Sequence, residues 1–168
     1  KAVDGFSGAT PLGQIAAAKG MLPDIHNTLG GPLTDWDAFL GLLPGSVGEV
    51  STLAILIGAC ILIYTGIASY KIMVSGVVGV VVMAAVFNAF GTTPAMQVSA
   101  LHQLIYGGFA FGIVFMATDP VTAARTEAGK WVYGFLIGVM VVFIRVLTAG
   151  YAEGMLLAIL LVNTCAPL

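Results

Sequence analysis

The chain has 168 residues, 59% of them hydrophobic and 8% charged, with a formal net charge of −2 and a mean hydropathy of +1.04. A soluble domain is about 45–50% apolar and about 25% charged, so six Lys+Arg, eight Asp+Glu and two His cannot solvate a monomer of this size. A soluble enzyme, a nucleic-acid binder and a disordered linker are all disfavoured, and an all-α, polytopic membrane protein is expected.

Residues 1–50 hold five of the eight acids (Asp4, Asp24, Asp35, Asp37, Glu49) against only Lys1 and Lys19. They also contain Pro11, Pro23, Pro32 and Pro44, so an irregular segment of short helices is expected. Its most informative stretch is Ser7-Gly8-Ala9-Thr10-Pro11. Thr10 is a good N-cap, Pro11 is a preferred first helical residue, and a helix over 11–19 would stop at Gly20. The Thr10 hydroxyl would then stand where free amides and the positive dipole end converge, a favoured place for a phosphate. Gly8, with no Cβ, would let a bulky group approach the backbone. The same residues also read as a plain capping threonine. Further on, Thr34-Asp35 caps a segment in which Trp36, Phe39, Leu40 and Leu43 fall at helical spacing, the pattern of a short interfacial helix.

From Val50 onward five apolar runs, at about 51–68, 72–91, 98–117, 131–149 and 154–168, are read as transmembrane helices. Residues 51–168 are thus expected to form a five-helix bundle behind the 1–50 segment. Lys71 lies in the first connection and Arg125 and Lys130 in the third, while 92–97 is uncharged and 150–153 offers only Glu153. The positive-inside bias places the basic connections in the cytoplasm and residues 1–50 on the outer side. Arg145, near the outer end of the fourth helix, is expected to snorkel or to meet Glu153.

Small residues at Gly108/Gly112, Gly134/Gly138 and Ala54/Gly58 are spaced for close helix packing. Cys60 and Cys165 lie in apolar runs without a CxxC or a histidine at ligand spacing, so both are expected to be buried, reduced and not to bind metal. Thr118-Asp119-Pro120 offers a second helix start, with a short helix from Val121 to Ala128 closed by Gly129. Opposed to the Thr10-Pro11 start across three spans, it fits an inverted-topology repeat, although two independent N-caps account for it as well. Asp119 is either that cap or a group in an ion pathway, and His102, Asn88, Asn163 and Thr164 are polar groups expected mainly to pack within the bundle. No P-loop, GxGxxG, HExxH or GxSxG pattern occurs. A chain that opens on Lys1 and stops at Leu168 is read as a piece of a longer polytopic protein.

Asp4-Gly5-Phe6-Ser7-Gly8-Ala9-Thr10 resembles the motif at which FMN is attached, by its phosphate, to a threonine side chain. Phe115-Met116-Ala117-Thr118-Asp119-Pro120-Val121-Thr122 and the tail Asn163-Thr164-Cys165-Ala166-Pro167-Leu168 point the same way. Together, over essentially the whole chain, they resemble the family formed by the B subunit of Na+-translocating NADH:quinone reductases and the D subunit of Rnf complexes. The resemblance implies that Thr10 carries FMN as a phosphoester, with Ser7, Gly8 and Ala9 forming its surroundings. It implies one half, the C-terminal one, of a urea-transporter-like inverted-repeat fold in a bacterial inner membrane, with Thr10 on the periplasmic side. It further implies a translocase subunit, inactive alone, that works with other subunits, quinone and Na+. Riboflavin and quinone sites would draw on the other half. A non-redox channel of the urea-transporter type and a purely structural scaffold are the alternatives.

Overall fold

The computed structural model describes residues 34–42, 45, 48–91, 96, 98–105, 108–147 and 154–165. The described residues are helical or irregular, with no strand among them. Helix α1, Asp35–Leu40, starts at Thr34. The Thr34 Oγ1 accepts from the Asp37 amide at 3.2 Å, and the Asp37 carboxylate accepts from the Thr34 N–H at 3.2 Å and from its hydroxyl at 2.8 Å. This reciprocal cap holds a six-residue helix that could not persist alone. Ala38 is buried beneath it, while Trp36 is exposed and stacks on Phe39 with ring centroids 5.6 Å apart.

Helix α2, Thr52–Tyr64, is capped by Ser51, whose side chain accepts from the Ala54 amide at 3.3 Å. The expected span 51–68 ends early because Gly66 adopts φ +72°, a left-handed backbone that glycine tolerates. The Gly66 amide donates to the Ile63 carbonyl at 3.1 Å and that of Ile67 to the Leu62 carbonyl at 3.2 Å, which closes the last turn as a Schellman motif. Helix α3, Tyr70–Phe90, follows, and its 21 residues are about 32 Å long, close to the roughly 30 Å of a bilayer core.

Within the third expected span the described residues form α4, Ala100–Ile105, and α5, Phe109–Phe111, which runs into a π-helical turn at Gly112–Met116. Helix α6, Glu127–Leu147, is again 21 residues long, and α7, Met155–Cys165, has 11. Among the described residues two helices, α3 and α6, are long and apolar enough to cross a membrane, and the described parts of the runs at 51–68, 98–117 and 154–168 form shorter ones.

Helices α3 and α6 form the centre of the structure. They run parallel, since Ile72 and Ser75 lie against Gly134 while Gly76 and Gly79 lie against Gly138. A Cβ on Gly138 would stand 2.8 Å from the Val80 nitrogen and 3.0 Å from the Gly79 Cα, so the backbones touch. That proximity is the use expected of Gly134 and Gly138, and in lipid, close backbone approach is itself a source of association energy. Helix α7 packs antiparallel to α6, with Gly154 against Ile144 and Arg145 at one end and Asn163 bonded to Tyr133 at the other. The π-helical turn reaches three neighbours. Gly112 faces Met155 of α7, the Ile113 side chain meets Gly76 of α3, and the Phe115 ring covers Gly58 of α2. Phe109, Ile72, Val80, Ile137 and Val141 complete the buried interior.

Candidate functional site

The residues expected to bind the flavin, Ser7, Gly8, Ala9 and Thr10, lie outside the described residues, as do the helix expected over 11–19, Leu43 and Glu153. The other candidate, Asp119, stands just beyond the π-helical turn. Its carboxylate accepts from the Val121 amide at 3.3 Å and from the Thr122 hydroxyl at 3.0 Å, while its carbonyl accepts from the Ala123 amide at 3.0 Å. Asp119 therefore caps one turn, as an aspartate before proline can.

The short helix expected from Val121 to Ala128 does not form. Thr126 takes the capping role: its Oγ1 accepts from the Gly129 amide at 3.0 Å, and Glu127 opens α6 with the charge its positive dipole end favours. Gly129, read as a helix stop, is in fact inside the first turn of α6. The Thr-Glu pair carried the signal, and the β-branched Val121 and Thr122 after Pro120 disfavoured the alternative. With no helix at 121–126, the opposed Pro-opened starts lose one member of the pair.

Beside Asp119, the Thr118 hydroxyl is buried and donates to the Val114 carbonyl at 2.6 Å. Two clefts open at this end of the molecule. One, of about 590 Å³, is lined by Lys71, Arg125, Glu127, Lys130 and the 66–70 connection. The other, of about 670 Å³, lies between residues 121–126, α6 and α7 and includes Tyr133, Leu136 and Val162. Glu127 accepts from both Lys71 and Lys130, the latter at 2.7 Å. Sequence reading placed Lys71, Arg125 and Lys130 on one side of the membrane, and the structure brings the three to one cleft. It missed Glu127 as the group that joins two of them.

At the opposite end, Arg145 turns inward instead of snorkelling. It is buried, and its guanidinium donates to the Gln103 carbonyl at 2.6 Å and to the Gln103 Oε1 at 3.0 Å. Gln103 is also buried, so two costly polar groups satisfy each other between α4 and α6. His102 sits half-buried with its Nδ1 3.0 Å from the Ser99 hydroxyl, Thr164 donates to the Leu161 carbonyl at 2.6 Å, and Asn88 is exposed. Cys60 and Cys165, expected to be buried, are both exposed free thiols on apolar helices. Among the described residues no three His, Cys, Asp or Glu side chains converge as a metal site.

Among the described residues an all-helical architecture and two membrane-length helices packed through glycines, in a chain low in charge, fit a membrane protein. The model of the NQR2, RnfD, RnfE family matches residues 1–168, and the chain belongs to this family. It is 51% identical over 169 residues to the B subunit of the Na(+)-translocating NADH-quinone reductase of Klebsiella pneumoniae strain 342, covering 99% of this chain and 41% of that protein. The corresponding B subunit of Pseudomonas paraeruginosa strain PA7 is 52% identical over 168 residues, covering 99% of this chain and 40% of its own length. That of Yersinia pestis is 51% identical over 167 residues, covering 98% and 40%. The chain thus spans about two fifths of the length of the curated relatives it matches.

Proposed function

We propose that this chain is the flavin-bearing part of a membrane redox subunit in which Thr10 holds FMN as a phosphoester, within a complex that couples electron transfer from NADH to quinone with Na+ translocation. The observation that carries the reading is Ser7-Gly8-Ala9-Thr10-Pro11 in a chain whose whole length belongs to the family. Relatives named as B subunits of Na(+)-translocating NADH-quinone reductases support the coupling to Na+ and quinone.

The residues present fit the group chemically. Thr10 offers the hydroxyl that a phosphoester requires, Gly8 and Ala9 are small, and Ser7 adds a second hydroxyl. Pro11 favours a helix start, whose free amides attract a phosphate. When bound, the flavin supplies one-electron transfer, and the chain's part is to tether and orient it. Asp119 is the ion-pathway candidate, its carboxylate held in place by the Val121 amide and the Thr122 hydroxyl.

The shared end of Lys71, Arg125 and Lys130 supports a cytoplasmic position for that end and a periplasmic one for Thr10 in a bacterial inner membrane. The residues read as five spans would form one half of a urea-transporter-like inverted repeat, with residues 1–50 as the outer segment. Partners are the remaining subunits, quinone and Na+, while riboflavin and quinone would use the part of the protein outside this chain.

The test is made on the assembled reductase with Thr10→Leu. The expected result is loss of in-gel flavin fluorescence from this subunit and loss of the FMN mass from the peptide around residue 10. Retained fluorescence on the variant subunit overturns the assignment. A colourless wild-type protein that passes solute through liposomes without an electron donor replaces it with the channel reading.

A further inference from the structure

The cleft at the start of α3 and α6 combines four features: positive charge, two helix N-termini, aromatic neighbours and apolar flanks. Three cations, Lys71, Arg125 and Lys130, line it against a single carboxylate, Glu127, which leaves the lining with a charge of +2. Arg125 is exposed, makes no ion pair among the described residues, and stands on the ridge between the two clefts. Asp119, close by, has both carboxylate oxygens engaged by the Val121 amide and the Thr122 hydroxyl.

The two longest helices begin here side by side, so their positive dipole ends add. Ser69, the N-cap of α3, makes no side-chain capping bond. Around the cleft, Tyr64, Tyr70 and Trp131 are exposed, the residue types that collect at the depth of lipid headgroups. Ile63 and Ile67 give this cleft an exposed apolar wall, and Val121, Val132 and Leu136 are exposed along the adjoining cleft that shares Arg125.

A positive, partly open cleft at headgroup depth with apolar flanks matches an amphiphile with an anionic head. We propose that this cleft binds the phosphodiester headgroup of an anionic phospholipid, with Arg125 as the ligand that has no competing partner and Lys71 and Lys130 as two more. Glu127 then acts as a brake, since it holds both ammonium groups while the cleft is empty of lipid. Arginine suits the role because its fork can donate two parallel bonds to phosphate oxygens. The proposal rests on the membrane placement of α3 and α6 and not on the flavin at Thr10.

The experiment uses the purified reductase carrying this chain in its full-length form, delipidated and titrated with phosphatidylglycerol or phosphatidylcholine in mixed micelles, with bound lipid measured by native mass spectrometry. Phosphatidylglycerol is expected to be retained over phosphatidylcholine. Each neutralised base is expected to weaken retention about five-fold, so Arg125→Gln gives that loss and the triple Lys71→Gln, Arg125→Gln, Lys130→Gln variant about a hundred-fold. The double Lys71→Arg, Lys130→Arg variant keeps binding. Glu127→Gln is expected to raise retention, a sign that a merely unfolded variant does not give. Unchanged retention in Arg125→Gln and in the triple variant overturns the proposal, as does equal retention of the two lipids. Displacement by millimolar inorganic phosphate alone assigns the cleft to a free anion and overturns the lipid reading. The readout is lipid mass, so it fails independently of flavin attachment.

Discussion

The Tyr133 hydroxyl donates to the Asn163 side-chain oxygen at 2.5 Å and so ties α6 to α7 near one end of their antiparallel pair. Polar contacts between helices in lipid are worth about 0.6 kcal/mol on average and up to about 1.7 kcal/mol. Tyr133→Phe is therefore expected to destabilise the protein by about 0.5–2 kcal/mol. The double variant Tyr133→Phe, Asn163→Leu should recover part of the loss, because the stranded acceptor is removed as well. Thermal unfolding of the four members of this cycle in detergent measures the coupling, and purely additive losses would show that the bond contributes nothing.

Gly138 and Gly58 make opposite predictions although both belong to small-residue patterns. A Cβ at Gly138 would collide with backbone, the Gly76 carbonyl and the Val80 nitrogen, neither of which can yield without moving α3. At Gly58 the collision is with the far end of the Phe115 ring, which can turn aside. Gly138→Ala should reduce the yield of folded protein severely and Gly58→Ala only mildly. Monodispersity in size-exclusion chromatography ranks the two, and an equal effect would contradict the backbone contact.

The buried guanidinium of Arg145 predicts a charge-specific defect. A hydrogen bond between a charged and a neutral group contributes about 1.5–3 kcal/mol. Arg145→Leu removes both bonds to Gln103 and Gln103→Leu removes the side-chain one, each lowering the unfolding midpoint. Arg145→Lys should rescue poorly, since both bonds to Gln103 come from one terminal guanidinium nitrogen and the lysine side chain ends one bond short of it. A full rescue by lysine would show that only charge matters at this position.

Asp119→Asn separates the two uses of that carboxylate. The amide oxygen still accepts from Val121 or Thr122, so the turn and the folded yield are expected to persist. Under the proposed ion-pathway role, Na+ uptake by the reconstituted reductase is expected to fall, because the charge is gone while the cap remains. Undiminished uptake would confine Asp119 to its capping role.

These outcomes bear on how much of the molecule its sequence discloses. The long apolar run at 72–91, the Thr34 cap and the contact role of Gly134 and Gly138 are local or periodic signals, and the structure places each close to expectation. The exposure of Cys60 and Cys165 was not legible, because α2 and α7 are apolar all round and no periodicity marks a face. The inward turn of Arg145 depends on Gln103, 42 residues away, and so has no local sign. The early end of α2 was signalled by Thr65-Gly66 but overridden by the length of the hydrophobic run. At the site, clustering of the bases followed from loop charge and the Glu127–Lys130 pair from i,i+3 spacing, whereas the Lys71–Glu127 contact required the parallel packing of α3 and α6. The Thr10 segment remains readable through its motif alone.

The π-helical turn at 112–116 has a mechanical consequence. Each residue of an α-helix advances the phase by about 100°, so the extra residue per turn acts as a splice between two helical phases. Within four positions it hands Gly112 to α7, Ile113 to α3 and Phe115 to α2. One short turn therefore serves three helices at once, and a substitution that reset its phase would disturb the contacts to α2, α3 and α7 together.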